Sequence, residues 1–438
     1  MSSYAVRQTP GDTAWFRHDR FGMFIHWGLY AMPARHEWVK TRECRPEAEY
    51  EKYFRYFQPD LFDARAWARQ ARAAGMRYAV LTTKHHEGFC LWDSRYTDYK
   101  VTNTPARRDV VREFVEAFRA EGLRVGFYYS LLDWHHPDFP IDMNHPRRKD
   151  PDAQAQNEGR DMRRYAQYMR NQVAELLTGY GKIDILWLDF SYGERKEGWM
   201  RGKGKEDWES EAFIALARRL QPGILINNRA GIEQDLWTPE QHQPTQWLRH
   251  PDTGELVTWE ACQTFSGSWG YHRDEASWKS PDMLIRMLVN TVSLGGNLLM
   301  NVGPTARGYF DARAEAALKV YADWMRLHAR SIYGCTMAEP AFLAALPPDC
   351  RMTQSEDGSR LYLHLFAYPF AFLPLRGLAG KVDYAQFLGD GSEVERSEGR
   401  MDHFGDGLLE DDDLLVLKLP AVRPDTPVPV IELFLKQG

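Results

Sequence analysis

What this 438-residue chain lacks already narrows its chemistry. Its five cysteines, Cys44, Cys90, Cys262, Cys335 and Cys350, are odd in number and scattered, with no CxxC pair. They read as reduced, packed thiols rather than zinc ligands or a redox couple. No HxH or HExxH occurs, which removes the usual signatures of a metal hydrolase. No GxSxG elbow is present and no cysteine sits in a glycine-bounded turn, so a serine or cysteine nucleophile is disfavoured. No GxGxxG follows the first strand-like run, which costs a dinucleotide fold its main support. Long basic runs are missing and the net charge is -6, against nucleic acid or an anionic membrane as partner. No apolar run reaches membrane-spanning length, and MSSYAVRQTPGDTAWF holds no stretch suited to a signal peptide, so a cytoplasmic location is expected.

What is present is an ordinary globular composition, 44% apolar, with length for one large core and a smaller domain. The 15 Trp, 21 Tyr and 22 Phe gather at apparent strand ends, where aromatic faces suit sugar rings, although core packing accounts for most of them. From about residue 20 to 330, short β-rich runs alternate with amphipathic segments, the pattern of a parallel α/β fold. Strands are expected at 21–28, 76–83, 123–130, 183–189, 223–227 and 295–302. Helices are expected at 61–74, 110–121, 161–177, 206–220, 281–294 and 311–331. Gly75, Gly122 and Gly179 stand beyond three of these helices, where positive φ is favoured. Length and repetition favour a (β/α)8-like, TIM-type barrel over residues 1–336, its active site at the C-terminal strand ends. Prolines Pro340, Pro347 and Pro348 mark the boundary, and residues 337–438 read as a C-terminal β-sandwich domain. Segments 135–157 and 241–258 are long enough to be lids or binding walls.

The run YAVLTTKHHEGFCLWDSRYTDY, Tyr78 to Tyr99, is the most informative part of the chain: an apolar strand stops at Lys84, His85, His86 and Glu87. ILWLD ends at Asp189, and strand alternation puts Trp187 and Asp189 on one face. His26 and Phe24 share a face in the first strand, Glu37 and Trp38 follow in the next loop, Gly126 to Ser130 ends the third strand with Tyr128 alternating with Phe127 and Tyr129, and Asn227-Asn228-Arg229 ends the fifth. Each alone is most simply a satisfied core or loop residue. Five strand ends delivering such groups to one barrel mouth are harder to dismiss. A metal site would draw on His26, His85, His86 and Asp189, but His85 and His86 are adjacent and a regular strand would point them apart. Glycoside hydrolysis needs a carboxylate nucleophile, a second carboxyl group to protonate the leaving oxygen, and neutral groups that hold hydroxyls. The sequence supplies all three.

The stretches FGMFIHWGLYAMP, HEWV, YAVLTTKHHEGFCLWDSRYTDY, GFYYSLLDWHHP, ILWLDF, NNRAG, TWEACQTFSGSWGY and LGGNLLMNVGPTARG together resemble the α-L-fucosidases of glycoside hydrolase family 29. The resemblance runs from about Trp15 to Asp311, with a weaker echo in LYLHLFAYP. It implies a barrel followed by a β-sandwich, exo-acting hydrolysis of terminal α-L-fucose with retention, and no metal or organic cofactor. By the same resemblance Asp189 is the nucleophile. His26, Glu37, Trp38, His85, His86 and Tyr128 hold fucose, Phe24, Trp187 and Trp269 form its aromatic wall, and Arg229 keeps Asp189 ionised. Glu240, in DLWTPEQH, is the preferred acid/base. Glu260, in TWEAC, is its rival and otherwise a substrate-binding residue. The family often reads NDR where this chain has Asn227-Asn228-Arg229, and Phe190-Ser191-Tyr192 also departs from many relatives. The expected partner is a fucosylated oligosaccharide or glycoconjugate, with no nucleic acid, no membrane and a possible homo-oligomer. The alternatives are a fucose-binding protein without turnover and a glycosidase for a related sugar.

Overall fold

A computed structural model of the chain describes residues 4–344, 346–400 and 410–436. Seven parallel strands form one curled sheet, in the order Leu225–Ile226, Ile185–Asp189, Arg124–Ser130, Tyr78–Lys84, Phe21–Ile25, Asn297–Val302 and Glu260–Thr264. Their near-continuous apolar runs are explained by burial on both faces: every residue of Phe21–Ile25, Tyr78–Lys84 and Asn297–Val302 is buried. Helices Ala64–Ala73, Val110–Ala120, Met162–Gly179, Pro281–Ser293 and Ala312–His328 lie between the strands in sequence. Each begins where Asp63, Asp109, Asp161, Ser280 or Asp311 accepts a backbone N–H of the first turn.

The two edges of the sheet approach each other through residues 236–241. Leu236 donates to Ile226 O and accepts from Asn228, while Trp237 exchanges backbone hydrogen bonds with Thr258 and Glu260. Pro239 O accepts from Cys262, and Gln241 donates back to Cys262 O. The inward residues Phe24, Val80, Tyr128, Trp187, Leu236, Cys262 and Leu299 pack as one interior cluster. Gly22 belongs to the same interior, because a Cβ there would lie 2.3 Å from the Tyr78 ring. Only glycine lets that ring cross the first strand.

The C-terminal part holds two antiparallel sheets. Five strands run Cys335–Met337, Cys350–Ser355, Arg360–Leu365, Val430–Leu435, Val382–Phe387, and three run Phe372–Arg376, Glu410–Lys418, Arg396–Arg400. Leu361, Leu363 and Leu433 of the larger sheet share one core with Leu373, Leu375, Leu415 and Leu417 of the smaller.

Three differences from expectation have local causes. Glu260–Thr264 is a strand, carried by the short run EACQT that lacks a flanking glycine. The helix expected at 206–220 breaks at Glu209, whose φ of 50° separates Lys205–Trp208 from Ser210–Leu220. Gly75 and Gly122 do take positive φ, but Gly179 is still helical and Gly181 makes that turn instead. Segment 135–157 is largely folded, with helical turns at Pro146–Lys149 and Ala155–Asn157, and Thr41 Oγ1 donates to Asn144 O at 2.6 Å.

Candidate active site

The C-terminal ends of the parallel strands surround a cavity of about 340 Å³. Every residue assigned a catalytic or fucose-holding role by the resemblance lines it except Glu260. Phe24 and Trp187 lie with ring centroids 5.1 Å apart, Tyr128 stacks on Trp187 at 5.8 Å, and Trp269 lies 5.1 Å from the His26 ring. An apolar wall of this size suits the hydrophobic face of a sugar.

Asp189 closes its strand among three neighbours. Arg229 Nη1 donates to Oδ1 at 2.9 Å, Tyr128 OH donates to Oδ2 at 2.7 Å, and His86 Nε2 stands 3.8 Å from Oδ2. The same Nη1 of Arg229 reaches Glu240 Oε2 at 2.7 Å. One guanidinium nitrogen therefore ties two carboxylates together, which fixes their nearest oxygens within the sum of those two bonds. Arg229 is itself held by Thr238, through Nε to Oγ1 at 2.9 Å and Nη2 to the carbonyl at 3.1 Å, and stands over the Trp187 ring. The neighbouring Asp189 carboxylate keeps that guanidinium charged against the effect of its burial. Glu240 differs from Asp189 in access: its side chain is 42% exposed.

The strand bearing the histidine pair ends at Lys84, so alternation no longer governs His85 and His86. Their rings lie 4.1 Å apart and both reach the cavity, contrary to the expectation that they point apart. Burial drives the pKa of His26 and His86 down to about 3 and that of His85 well below its ordinary value, so all three are neutral near pH 7. Their sequence neighbours turn elsewhere. Lys84 Nζ is buried on Asp133 at 3.2 Å and Tyr129 OH at 3.0 Å. Glu87 accepts from Tyr50 OH and from Leu29 N–H.

Glu37 is buried in the cavity wall, with Oε2 accepting Gly270 N–H at 2.9 Å. Its Oε1 lies 3.1 Å from His36 Nδ1, but that nitrogen already accepts Trp38 N–H at 3.0 Å, so Oε1 has no donor among the described residues. Burial raises the Glu37 pKa to about 7. Glu260 is the correction. It opens its strand, and Cys262, the next residue on the same face, is the one that meets the cavity. Glu260 lies a layer deeper, with no exposed surface, accepting Tyr78 OH at 2.5 Å and Trp187 Nε1 at 3.1 Å. Both its oxygens are occupied, which removes it from reach of a ligand.

Residues not anticipated also line the cavity: His36, Arg42, Phe190, Gln241, Cys262 and Gly267. Phe190 and Gln241 directly follow the two carboxylates, and both take positive φ, 85° and 50°. Apart from Gln241, the segments 135–157 and 241–258 contribute no lining residue. Among the described residues no three His, Cys, Asp or Glu side chains converge as metal ligands, and no helix is long and apolar enough to cross a membrane.

Two carboxyl groups on one cation, neutral hydrogen-bonding imidazoles and an aromatic wall at parallel strand ends define a glycoside hydrolase site. The family model described as alpha-L-fucosidase matches residues 3–330. The chain belongs to that family, glycoside hydrolase family 29. Human plasma alpha-L-fucosidase is 31% identical over 363 residues, covering 76% of this chain and 70% of that protein. Among solved structures, alpha-L-fucosidase isoenzyme 1 from Paenibacillus thiaminolyticus is similar at a TM-score of 0.88 and 44% identity, covering 97% of this chain and 99% of that one. A family 29 alpha-L-fucosidase from Bacteroides thetaiotaomicron, trapped as a covalent intermediate, is similar at 0.80 and 28%, with 99% of each chain covered.

Proposed function

We propose that this retaining α-L-fucosidase releases terminal fucose from fucosylated glycans with Asp189 as nucleophile and Glu240 as acid/base. The observation that carries the assignment is the shared Arg229 nitrogen, which keeps the nearest oxygens of the two carboxylates no farther apart than the sum of its two bonds, compatible with the roughly 5–5.5 Å spacing of a retaining pair. In the first step Asp189 attacks the anomeric carbon while Glu240 gives its proton to the departing oxygen, leaving a glycosyl ester. In the second, Glu240 takes a proton from water, which attacks the same carbon and frees Asp189. Arg229 and Tyr128 orient the nucleophile. Neutral His26, His85 and His86, with Glu37 and Trp38, hold hydroxyls, and Phe24, Trp187 and Trp269 pack on the ring and its C6 methyl. The test is an aryl α-L-fucoside assayed beside the galactoside and other 6-deoxy sugars. Equal turnover of the galactoside would remove the sugar assignment, and binding without turnover would leave a lectin.

The curled sheet is read in full as a (β/α)8-type barrel, residues 236–241 serving as its eighth staves. The paired hydrogen bonds of Leu236 and Trp237 to both edges support that closure. The two C-terminal sheets around one apolar core support a β-sandwich domain over about 337–438, beside a barrel domain over 1–336. The strand Cys335–Met337 joins the C-terminal sheet just before that division.

A further inference from the structure

Two of the cavity's histidines, His26 and His86, have determinable tautomers, because each Nδ1 meets an atom whose own role is fixed. Asn301 Nδ2 donates to Trp269 O at 2.6 Å, and a carbonyl can only accept, so the Asn301 amide cannot be turned the other way. Its Oδ1 therefore faces His26 Nδ1 at 2.6 Å, and Oδ1 can only accept. The proton on His26 sits on Nδ1. For His86 the sequence of bonds is different and the result the same. Ser130 Oγ–H is given to Leu132 O at 2.8 Å, so Oγ meets His86 Nδ1, 2.6 Å away, as an acceptor. The proton on His86 also sits on Nδ1, and its Nε2, 3.8 Å from Asp189 Oδ2, is bare. Both rings are neutral, as their deep burial requires.

We propose that Ser130 and Asn301 are positioning residues that hold His86 and His26 as Nδ1–H tautomers, so that a ligand meets two bare Nε2 acceptors and satisfies them only with hydroxyl groups that donate. At His86 the arrangement has a second effect. The other tautomer would aim an N–H at Asp189 Oδ2, adding a donor to a carboxylate already bonded to Arg229 and Tyr128, and weakening it as a nucleophile. With both Nε2 and Oδ2 acting as acceptors, nothing but a donor from the ligand fits between them. The identity of that ligand rests on the fucosidase reading, whereas the tautomers belong to the free protein.

The test uses the full chain labelled with ¹⁵N-histidine, unliganded near pH 7. Long-range ¹H–¹⁵N spectra are expected to show Nδ1 protonated and Nε2 unprotonated for both rings, with Ser130→Ala and Asn301→Leu each shifting one ring and so assigning it. Ser130→Ala should release His86 to populate the Nε2–H form and lower kcat roughly tenfold or more, with a smaller change in KM. A wild-type spectrum with Nε2 protonated at either ring, or a Ser130→Ala spectrum unchanged at His86, overturns the proposal. Should the chain turn over no fucoside at all, the spectra would still decide the tautomers. Should the tautomers prove reversed, the fucosidase assay would stand unaffected.

Discussion

Two layers of the same sheet treat carboxylates in opposite ways. At the mouth, Asp189 and Glu240 share a cation and face open space, with oxygens that can exchange partners. One layer below, Glu260 has no exposure and spends both oxygens on Tyr78 and Trp187. The lower carboxyl group braces Trp187, whose ring is then part of the wall above. Chemistry and support are thus separated by a single step along the strand.

The largest test of that contrast is Asp189→Ala, which should fold and lose at least about 10³-fold in kcat, with azide restoring part of the turnover. Near-normal hydrolysis would put the nucleophile elsewhere. Glu240→Ala comes next, with a loss of roughly 10²–10⁴-fold on poor leaving groups and little on an activated aryl fucoside. If Glu260→Ala gave that leaving-group signature instead, the two layers would have exchanged roles.

Glu260→Gln should act on stability rather than on turnover. Burial raises the Glu260 pKa from 4.5 to about 7, so between those values the folded chain keeps a proton that the unfolded chain has released. Its contribution is complete below about pH 4.5 and is lost as pH rises to 7. The stability of the glutamine variant relative to the parent should therefore rise across that window, by up to about 3 kcal/mol in denaturant melts. Glu37 and Glu87, also raised to about 7, add slope of the same sign, whereas buried His26 and His86, lowered to about 3, add slope of the opposite sign below pH 6.5, so the readout is the difference between variant and parent. An unchanged slope would mean that Glu260 is ionised in the folded chain. The smallest effect belongs to Cys262→Ala, at the border of the layers, where the thiol touches Arg229 only weakly at 3.7 Å. A change in kcat/KM below about threefold, about 0.65 kcal/mol, is expected from steady-state kinetics.

Much of the mouth could be read in the sequence because apolar runs give way to His26, His85, Tyr128 and Asp189 at or near strand ends, and these residues line the cavity. The layers could not be read. Glu260 and Cys262 share a face, and only the register of Glu260 with Asn297, at the start of its neighbour, reveals which one is deep. Nor does local pattern mark Ser130 or Asn301, whose importance lies in bonds to residues 44 and 275 positions away. Regular alternation would point His85 and His86 apart, but the strand stops at Lys84 and both reach the cavity. Glu209 broke its helix through a backbone angle that its residue type does not advertise.

The segment 236–241 gives Glu240 an unusual address. Pro239 has no N–H to give, so the closing ladder skips a rung immediately before the proposed acid/base, and Gln241 leaves in a left-handed turn immediately after it. The proposed nucleophile, Asp189, is built into the regular part of the wall, whereas its partner rides on the seam. A seam tolerates insertions and shifts of register that a wall does not. If these roles hold, an insertion at the seam would displace the proposed acid while leaving the proposed nucleophile, Asp189, in place.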